Sequence, residues 1–255
     1  MSSPGFWHFA HQAPTKLALA APDGRHWSRG ELRDECDRIV RNLQQQGLQA
    51  GDCVETALPN CAELLALKLA VEQLDCVLLM QTPGSETTNT APGISAVRAV
   101  FAQSATDRHA QKMAEVAQLM TLFDIPTEAH NVHFCGCPLH DPEAMMWALN
   151  SLHYGHPVVL AEQWDARSML HAIDQYRVTT SYMVPSQFSR LLELPQELRD
   201  RYDVSSIHRM IYSGAPCPPE VKRQMIAWWG MSIYECSGRN SSQERNVDTD
   251  ALIHY

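Results

Sequence analysis

Cys53-Val-Glu-Thr-Ala-Leu-Pro-Asn-Cys-Ala-Glu-Leu-Leu-Ala-Leu-Lys-Leu-Ala-Val-Glu-Gln-Leu-Asp-Cys-Val-Leu-Leu-Met80 reads as strand, helix, strand. Gly51-Asp52 turns into a strand from Cys53 to Leu58, and Pro59-Asn60 ends it. Asn60, with Glu63 three positions on, is expected to cap a helix running to about Leu74. Cys76 to Met80 is then a second apolar strand. Two strands joined through a helix make the unit of a parallel sheet, which predicts an α/β fold.

The pattern extends in both directions. Upstream, Ser28-Arg-Gly-Glu31 is a capping box. The helix it opens carries Leu32, Cys36, Ile39, Val40 and Leu43 on one face, and Gly47 stops it. Downstream, residues 82–95 are rich in Thr, Ser, Gly, Pro and Asn and read as a loop. A helix is expected from about Asp107 to Phe123, with Met113, Val116, Ala117 and Met120 facing inward. Alternation then resumes, with strands near Val132–Cys135, Pro157–Ala161, Val178–Val184, Ile207–Ser213 and Ser232–Glu235. Helices are expected at Glu143–His153, Ala166–Tyr176, capped by Asp165, and Pro219–Trp229, with its proline in the first turn. Residues 241–255 read as a polar tail. The expected organisation is a reduced N-terminal lobe over 1–83, an α/β subdomain over 84–240 and that tail.

Bulk properties set outer limits. A chain of 255 residues is long enough to bury a sizeable core. The formal net charge of −9 argues against nucleic acid as a partner, because phosphate contacts need clustered Lys and Arg. No secretion signal or membrane span is read from the sequence, so the expected location is cytoplasmic. Eight cysteines in such a chain read as reduced, mostly buried thiols. Cys135-Gly-Cys137 beside His130, His133 and His140 lacks ordinary zinc-ligand spacing, and no metal site is assigned.

In order, these segments resemble the large N-terminal domain of AMP-forming acyl-CoA synthetases, within the adenylate-forming superfamily. The first part of the resemblance is Pro22-Asp-Gly24, Glu31-Leu32, Gly51-Asp52 and Leu58-Pro-Asn60. The second is more specific: Gly155-His-Pro-Val-Val-Leu160, Trp164-Asp-Ala166, Tyr176-Arg-Val-Thr179 and Met183-Val-Pro-Ser186. It continues through Arg201-Tyr-Asp-Val-Ser-Ser206, Ser213-Gly-Ala-Pro-Cys-Pro-Pro-Glu-Val-Lys-Arg223, Trp228-Trp-Gly230 and Ile233-Tyr-Glu235. Each motif is weak alone; their order and spacing carry the likeness. It implies a mainly parallel sheet flanked by helices, resembling a reduced acyl-CoA synthetase N-terminal domain.

The same resemblance exposes departures. The family holds ATP with a loop of the form S-G-T-T-G-x-P-K-G, whose glycines admit phosphate to backbone N–H groups and whose lysine supplies counter-charge. The counterpart here is Ser85-Glu-Thr-Thr-Asn-Thr-Ala-Pro-Gly93. Ser85, Thr87, Thr88 and Gly93 match, whereas Glu86 and Asn89 replace glycines and Ala91-Pro92 replaces Pro-Lys. An unrelated polar loop is the other reading, and neither reading leaves a working phosphate loop. Near the end, Gly238 matches, but Asn240 and Ser241 stand where the family's phosphate-contacting Thr and magnesium-binding Glu belong. The family's ribose-binding Asp, hinge and lysine-bearing C-terminal domain would follow residue 241, so they are expected to be missing.

The remaining likeness outlines a ligand site. Ser213 begins the loop whose Gly214, Ala215 and Pro216 pack on adenine in the family, and Tyr234 precedes the adenylate face. Met183, Pro185 and Ser186 match a region near the acyl pocket. His140 or Asp141 holds the place of a family histidine, and His140 is the candidate acid–base residue, with a purely structural loop histidine as the alternative. The expected function is an acyl-CoA-synthetase-like protein unable to adenylate alone, acting as an acyl-ligand-binding or partner-docking pseudoenzyme. The alternative is an enzyme acting on an acyl or aryl (thio)ester without ATP; a conventional acid–CoA ligase ranks below both. No cofactor is assigned; an AMP or CoA moiety, an acyl or aryl small molecule, a second copy of the chain and a partner enzyme are the candidate ligands and partners.

Overall fold

The computed structural model describes residues 5–80, 95–97, 114, 116–127 and 130–236. Helix α1 (Gly5–Gln12) leads into strands β1 (Leu17–Ala20) and β2 (His26–Ser28). Helix α2 (Arg29–Gln45), β3 (Cys53–Thr56), α3 (Ala62–Gln73), β4 (Val77–Met80) and β5 (Ser95–Val97) follow. After a helical stretch at 116–122 come β6 (His133–Cys135), α4 (Pro142–His153), β7 (Val158–Leu160) and α5 (Ala166–Tyr176). The series closes with β8 (Thr180–Met183), α6 (Pro185–Leu192), α7 (Gln196–Arg199), β9 (Arg209–Tyr212), α8 (Pro219–Trp229) and β10 (Ile233–Glu235).

Two sheets result. The larger has strand order β10-β9-β8-β6-β7-β1-β2, parallel throughout except for the edge hairpin β1–β2. The smaller has order β4-β3-β5, with β3 and β4 parallel in register Cys53↔Val77 through Thr56↔Met80 and β5 antiparallel to β3. The α/β architecture read from the strand–helix–strand unit is therefore present. β1 and β2 lie within residues 1–83 yet pair into the larger sheet, with Leu19 opposite Val158.

Local signals explain most elements. At the start of α2, the Glu31 amide donates to Ser28 Oγ over 3.2 Å and the Ser28 amide donates to Glu31 Oε2 over 2.8 Å, closing the expected capping box. Leu32, Cys36, Ile39 and Leu43 are buried and Val40 half-buried. Gly47 takes a φ of 83°, which glycine adopts without steric cost. Asp165 Oδ2 accepts from the Ser168 amide over 2.7 Å at the start of α5. Val116 and Met120 are buried as expected; Ala117 is half-buried, and Met113 lies outside the described residues.

One expectation needs correction. Asn60 does not cap α3: the N-cap is Cys61, without a side-chain bond. The Asn60 amide instead donates to the carbonyls of Cys137 (3.0 Å) and Ala161 (3.2 Å), and its oxygen accepts from the Leu139 amide (2.7 Å). It fastens the strand–helix turn of the small sheet to loops of the large one. Pro142 extends α4 by one residue ahead of Glu143, and Asp141 caps it by accepting from the Glu143 (2.8 Å) and Ala144 (3.2 Å) amides.

The core has three parts. One joins α1, α2, α3 and the β1 and β7 side of the large sheet, with Phe6, Leu32, Leu65 and Leu149 at its centre. A second packs α5, α6 and α8 on one face of the large sheet around Phe134, Phe188 and Met210. The third packs the 116–122 helix and α4 against Tyr182 and Ile211 through Phe123 and Trp147. Helices thus cover the parallel sheet, as its buried apolar strands require.

Candidate functional site

Neighbouring strands β6 and β7 are joined through α4, after which the chain crosses β6 to place β8 on its other side. In open parallel sheets, such a reversal leaves a crevice beyond the carboxyl ends of the strands. Residues singled out from sequence gather along this edge. Met183 ends β8 and is fully buried, Pro185 opens α6 and is buried, and Ser186 is exposed. Gly214, Ala215 and Pro216 follow β9 and are all exposed; Gly214 has a φ of 86°. Tyr234 lies half-buried in β10, its ring 6.2 Å from that of Phe123 and 5.0 Å from the Arg209 guanidinium. Ser85, Thr87, Thr88, Gly93 and Gly238 lie outside the described residues.

His140 sits on the loop after β6 and is exposed, with no hydrogen bond among the described residues. Asp141 is spent on capping α4. His133, by contrast, is buried on β6 with Nδ1 3.0 Å from Thr180 Oγ1, and burial followed by the charge of His156 pushes its pKa down to about 3. Cys137 Sγ lies 3.7 Å from both the Tyr182 carbonyl and Gln187 Oε1, and burial pushes its thiol up to about 11. All eight cysteines are free thiols. Among the described residues, no three His, Cys, Asp or Glu side chains are grouped to hold a metal. None of the described helices is long and apolar enough to cross a membrane.

Sequence reasoning missed the polar group at the centre of the edge. Glu143, in the first turn of α4, accepts the Tyr182 hydroxyl on Oε2 over 2.7 Å, and the same oxygen accepts the Ser213 hydroxyl. Tyr182 and Ser213 lie 2.9 Å apart, so three close contacts share two hydroxyl protons when Glu143 is ionised. Burial, then the hydrogen bond and charge of Glu143, push the Tyr182 phenol above its ordinary value, partly opposed by its bond to Ser213. Burial and then Glu143 also raise the Cys236 thiol. On the opposite face of the sheet, the Tyr212 hydroxyl donates to Glu235 Oε2 over 2.8 Å. In the sequence, Glu143 stands only as the first residue of an expected helix. Only its spacing of 39 residues from Tyr182 and 70 from Ser213, bridged by the fold, makes the group.

The family described as AMP-binding enzyme matches residues 6–125 and 108–238, which together take in nearly all of the described chain. The chain belongs to that family. Its similarity to curated relatives is modest: 26% identity over 184 residues to a probable CoA ligase, CCL5, of Humulus lupulus, covering 71% of this chain and 31% of the relative. An acyl-CoA ligase, sidI, of Aspergillus fumigatus is 20% identical over 301 residues, covering 84% and 51%. The chain thus spans between about a third and a half of these two relatives' length. Among solved structures, the N-terminal domain of FACL13 from Mycobacterium tuberculosis superposes with a TM-score of 0.71 at 15% identity, covering 92% of this chain and 75% of that one. MatB from Rhodopseudomonas palustris gives 0.73 at 18%, covering 94% and 60%. At these identities the superpositions establish the fold alone, that of an acyl-CoA synthetase N-terminal domain.

Proposed function

We propose that this AMP-binding-family chain binds an acyl or aryl acid, or its thioester, at the carboxyl edge of β6, β8, β9 and β10, and does not adenylate it by itself. The observation that carries this reading is the sequence of the phosphate-loop counterpart Ser85–Gly93. That segment has Glu86 and Asn89 where the family has glycines and no lysine at Ala91-Pro92. A carboxylate beside polyphosphate repels it, and the loop offers no cation to offset the charge. Asn240 and Ser241 likewise remove a hard oxygen ligand for magnesium. The ligand class is drawn from the two curated relatives, a probable CoA ligase and an acyl-CoA ligase.

The protein then acts as an acyl-ligand-binding or partner-docking member of a ligase family. Binding of ATP–magnesium, AMP, CoA, free acids and acyl-CoAs, measured by thermal shift and calorimetry, tests this. Acid or acyl-CoA binding without ATP is expected. ATP–magnesium binding accompanied by pyrophosphate release would overturn the reading and restore an adenylating enzyme.

A further inference from the structure

The loop that follows β9 is held at its first residue. Gly214, Ala215 and Pro216 are exposed and make no hydrogen bond among the described residues, and a Cβ on Gly214 would meet nothing within 4 Å. Ser213 is buried and tied at two points: its amide donates to the Met183 carbonyl over 3.4 Å, and its hydroxyl donates to Glu143 Oε2. Tyr182 donates to the same oxygen over 2.7 Å and fixes the carboxylate from β8. Glu143 stands in the first turn of α4, whose N-cap, Asp141, directly follows His140 on the loop after β6. One carboxylate thus links the two loops, after β6 and after β9, that border the strand-end edge.

We propose that Glu143 is a positioning residue: through the Ser213 hydroxyl it holds the Gly214–Pro216 loop in the conformation that receives the ligand. The inference rests on the acid-binding reading above and assigns a residue that acts on the ligand without touching it. Ordering a free loop costs about 1–2 kcal/mol per residue in backbone entropy, and a loop already fixed at its root pays part of that cost before the ligand arrives. Once the root is released, only a fraction of the molecules present the receiving conformation, and the apparent affinity falls by that fraction. The acceptor oxygen on Glu143 is what the role requires, not its charge.

The test is calorimetric binding of hexanoate, benzoate, hexanoyl-CoA and benzoyl-CoA to a set of variants whose folding is followed by circular dichroism and urea unfolding. Ser213→Ala and Glu143→Ala are each expected to weaken binding about fivefold or more. The double variant should bind no more weakly than either single one, because both remove the same link. Glu143→Gln keeps an acceptor for both hydroxyls and should bind within about twofold of the parent. Ser206→Ala is the control: it deletes a buried hydroxyl bonded to the Val178 carbonyl over 2.8 Å, ahead of β9 and away from its carboxyl end, and should lower the urea midpoint without changing affinity. Glu143→Gln as weak as Glu143→Ala, or additive losses in the double variant, would show the carboxylate acting on the ligand directly and overturn the positioning role. Equal affinity losses in Ser206→Ala and Ser213→Ala also overturn it, since binding would then merely follow stability. Unchanged affinity in Ser213→Ala overturns it and leaves the acid-binding reading standing. If none of the four compounds binds the parent chain, the acid-binding reading falls and this one falls with it.

Discussion

Asn60 and Leu139 meet in the interior, the Leu139 amide donating to Asn60 Oδ1 over 2.7 Å. The other end of the same side chain donates to Cys137 and Ala161. One short amide therefore joins the turn before α3 to the loop after β6 and to the chain after β7. Nothing apolar can replace it, because the partners are backbone groups that stay where they are.

Asn60→Ala is expected to destabilise the protein by about 2–4 kcal/mol, since it leaves a buried N–H and two carbonyls short of partners. The urea midpoint should fall with the slope unchanged. A loss under about 0.5 kcal/mol would mean that water or a shifted loop replaces all three bonds.

The Tyr182–Glu143–Ser213 group should behave as a unit. Tyr182→Phe keeps the ring in the cluster and removes one proton from the triangle, costing about 1–3 kcal/mol. A double-mutant cycle with Glu143→Gln, read by urea unfolding, should give a coupling of at least about 0.5 kcal/mol. Strict additivity would show that the contact between the two side chains contributes nothing.

Gly136 sits where no methyl fits. A Cβ there would lie 2.6 Å from Trp164 Cδ1 and 2.7 Å from Phe134 Cε1, both atoms of rigid rings. Gly136→Ala should therefore cost about 1–3 kcal/mol through forced repacking. The shift of Trp164 should appear as an altered tryptophan emission in the folded state. An unchanged midpoint and spectrum would mean that the rings move freely.

Acid should weaken the fold before carboxylates titrate. His156 donates from Nε2 to the Pro126 carbonyl over 2.8 Å, leaving Nδ1 buried without a partner among the described residues, as is Nε2 of His133. Burial holds His133 at about 3 and His156 at about 4. Both values lie below the unfolded value of about 6.5, so the unfolded chain binds protons that the folded chain refuses. Their contribution is complete above about pH 6.5 and is lost as pH falls toward the folded values, at about 1.4 kcal/mol per pH unit per histidine. Urea midpoints at pH 7.5, 6 and 5 should decline, and His156→Gln should roughly halve the slope. A midpoint that stays level to pH 5 would contradict buried, neutral histidines.

The local rules were readable residue by residue. The capping box at Ser28 and Glu31, the Asp165 cap and the apolar face of α2 involve groups within a few positions of each other, so the chain's own geometry decides them. The parallel pair β3–β4 was likewise readable, because its connecting helix lies between the strands in sequence. Helix α1, the hairpin β1–β2 and helix α6 were not anticipated: four apolar residues at Leu17–Ala20 and eight residues at Pro185–Leu192 are too short to show a period. The likeness in order and spacing pointed to the edge where Met183, Gly214 and Tyr234 lie, and it did not reveal which polar groups meet there.

By itself, the sequence determined the alternation of strands and helices and the family resemblance. Each depends on residue types at short spacings. The tertiary structure decided that β1 lies beside β7, that Asn60 is a fastening rather than a cap, and that Glu143 meets Tyr182 and Ser213. Those are contacts across tens of residues. A carboxamide or carboxylate in the sequence is compatible with many partners, and only packing of the whole chain leaves it one.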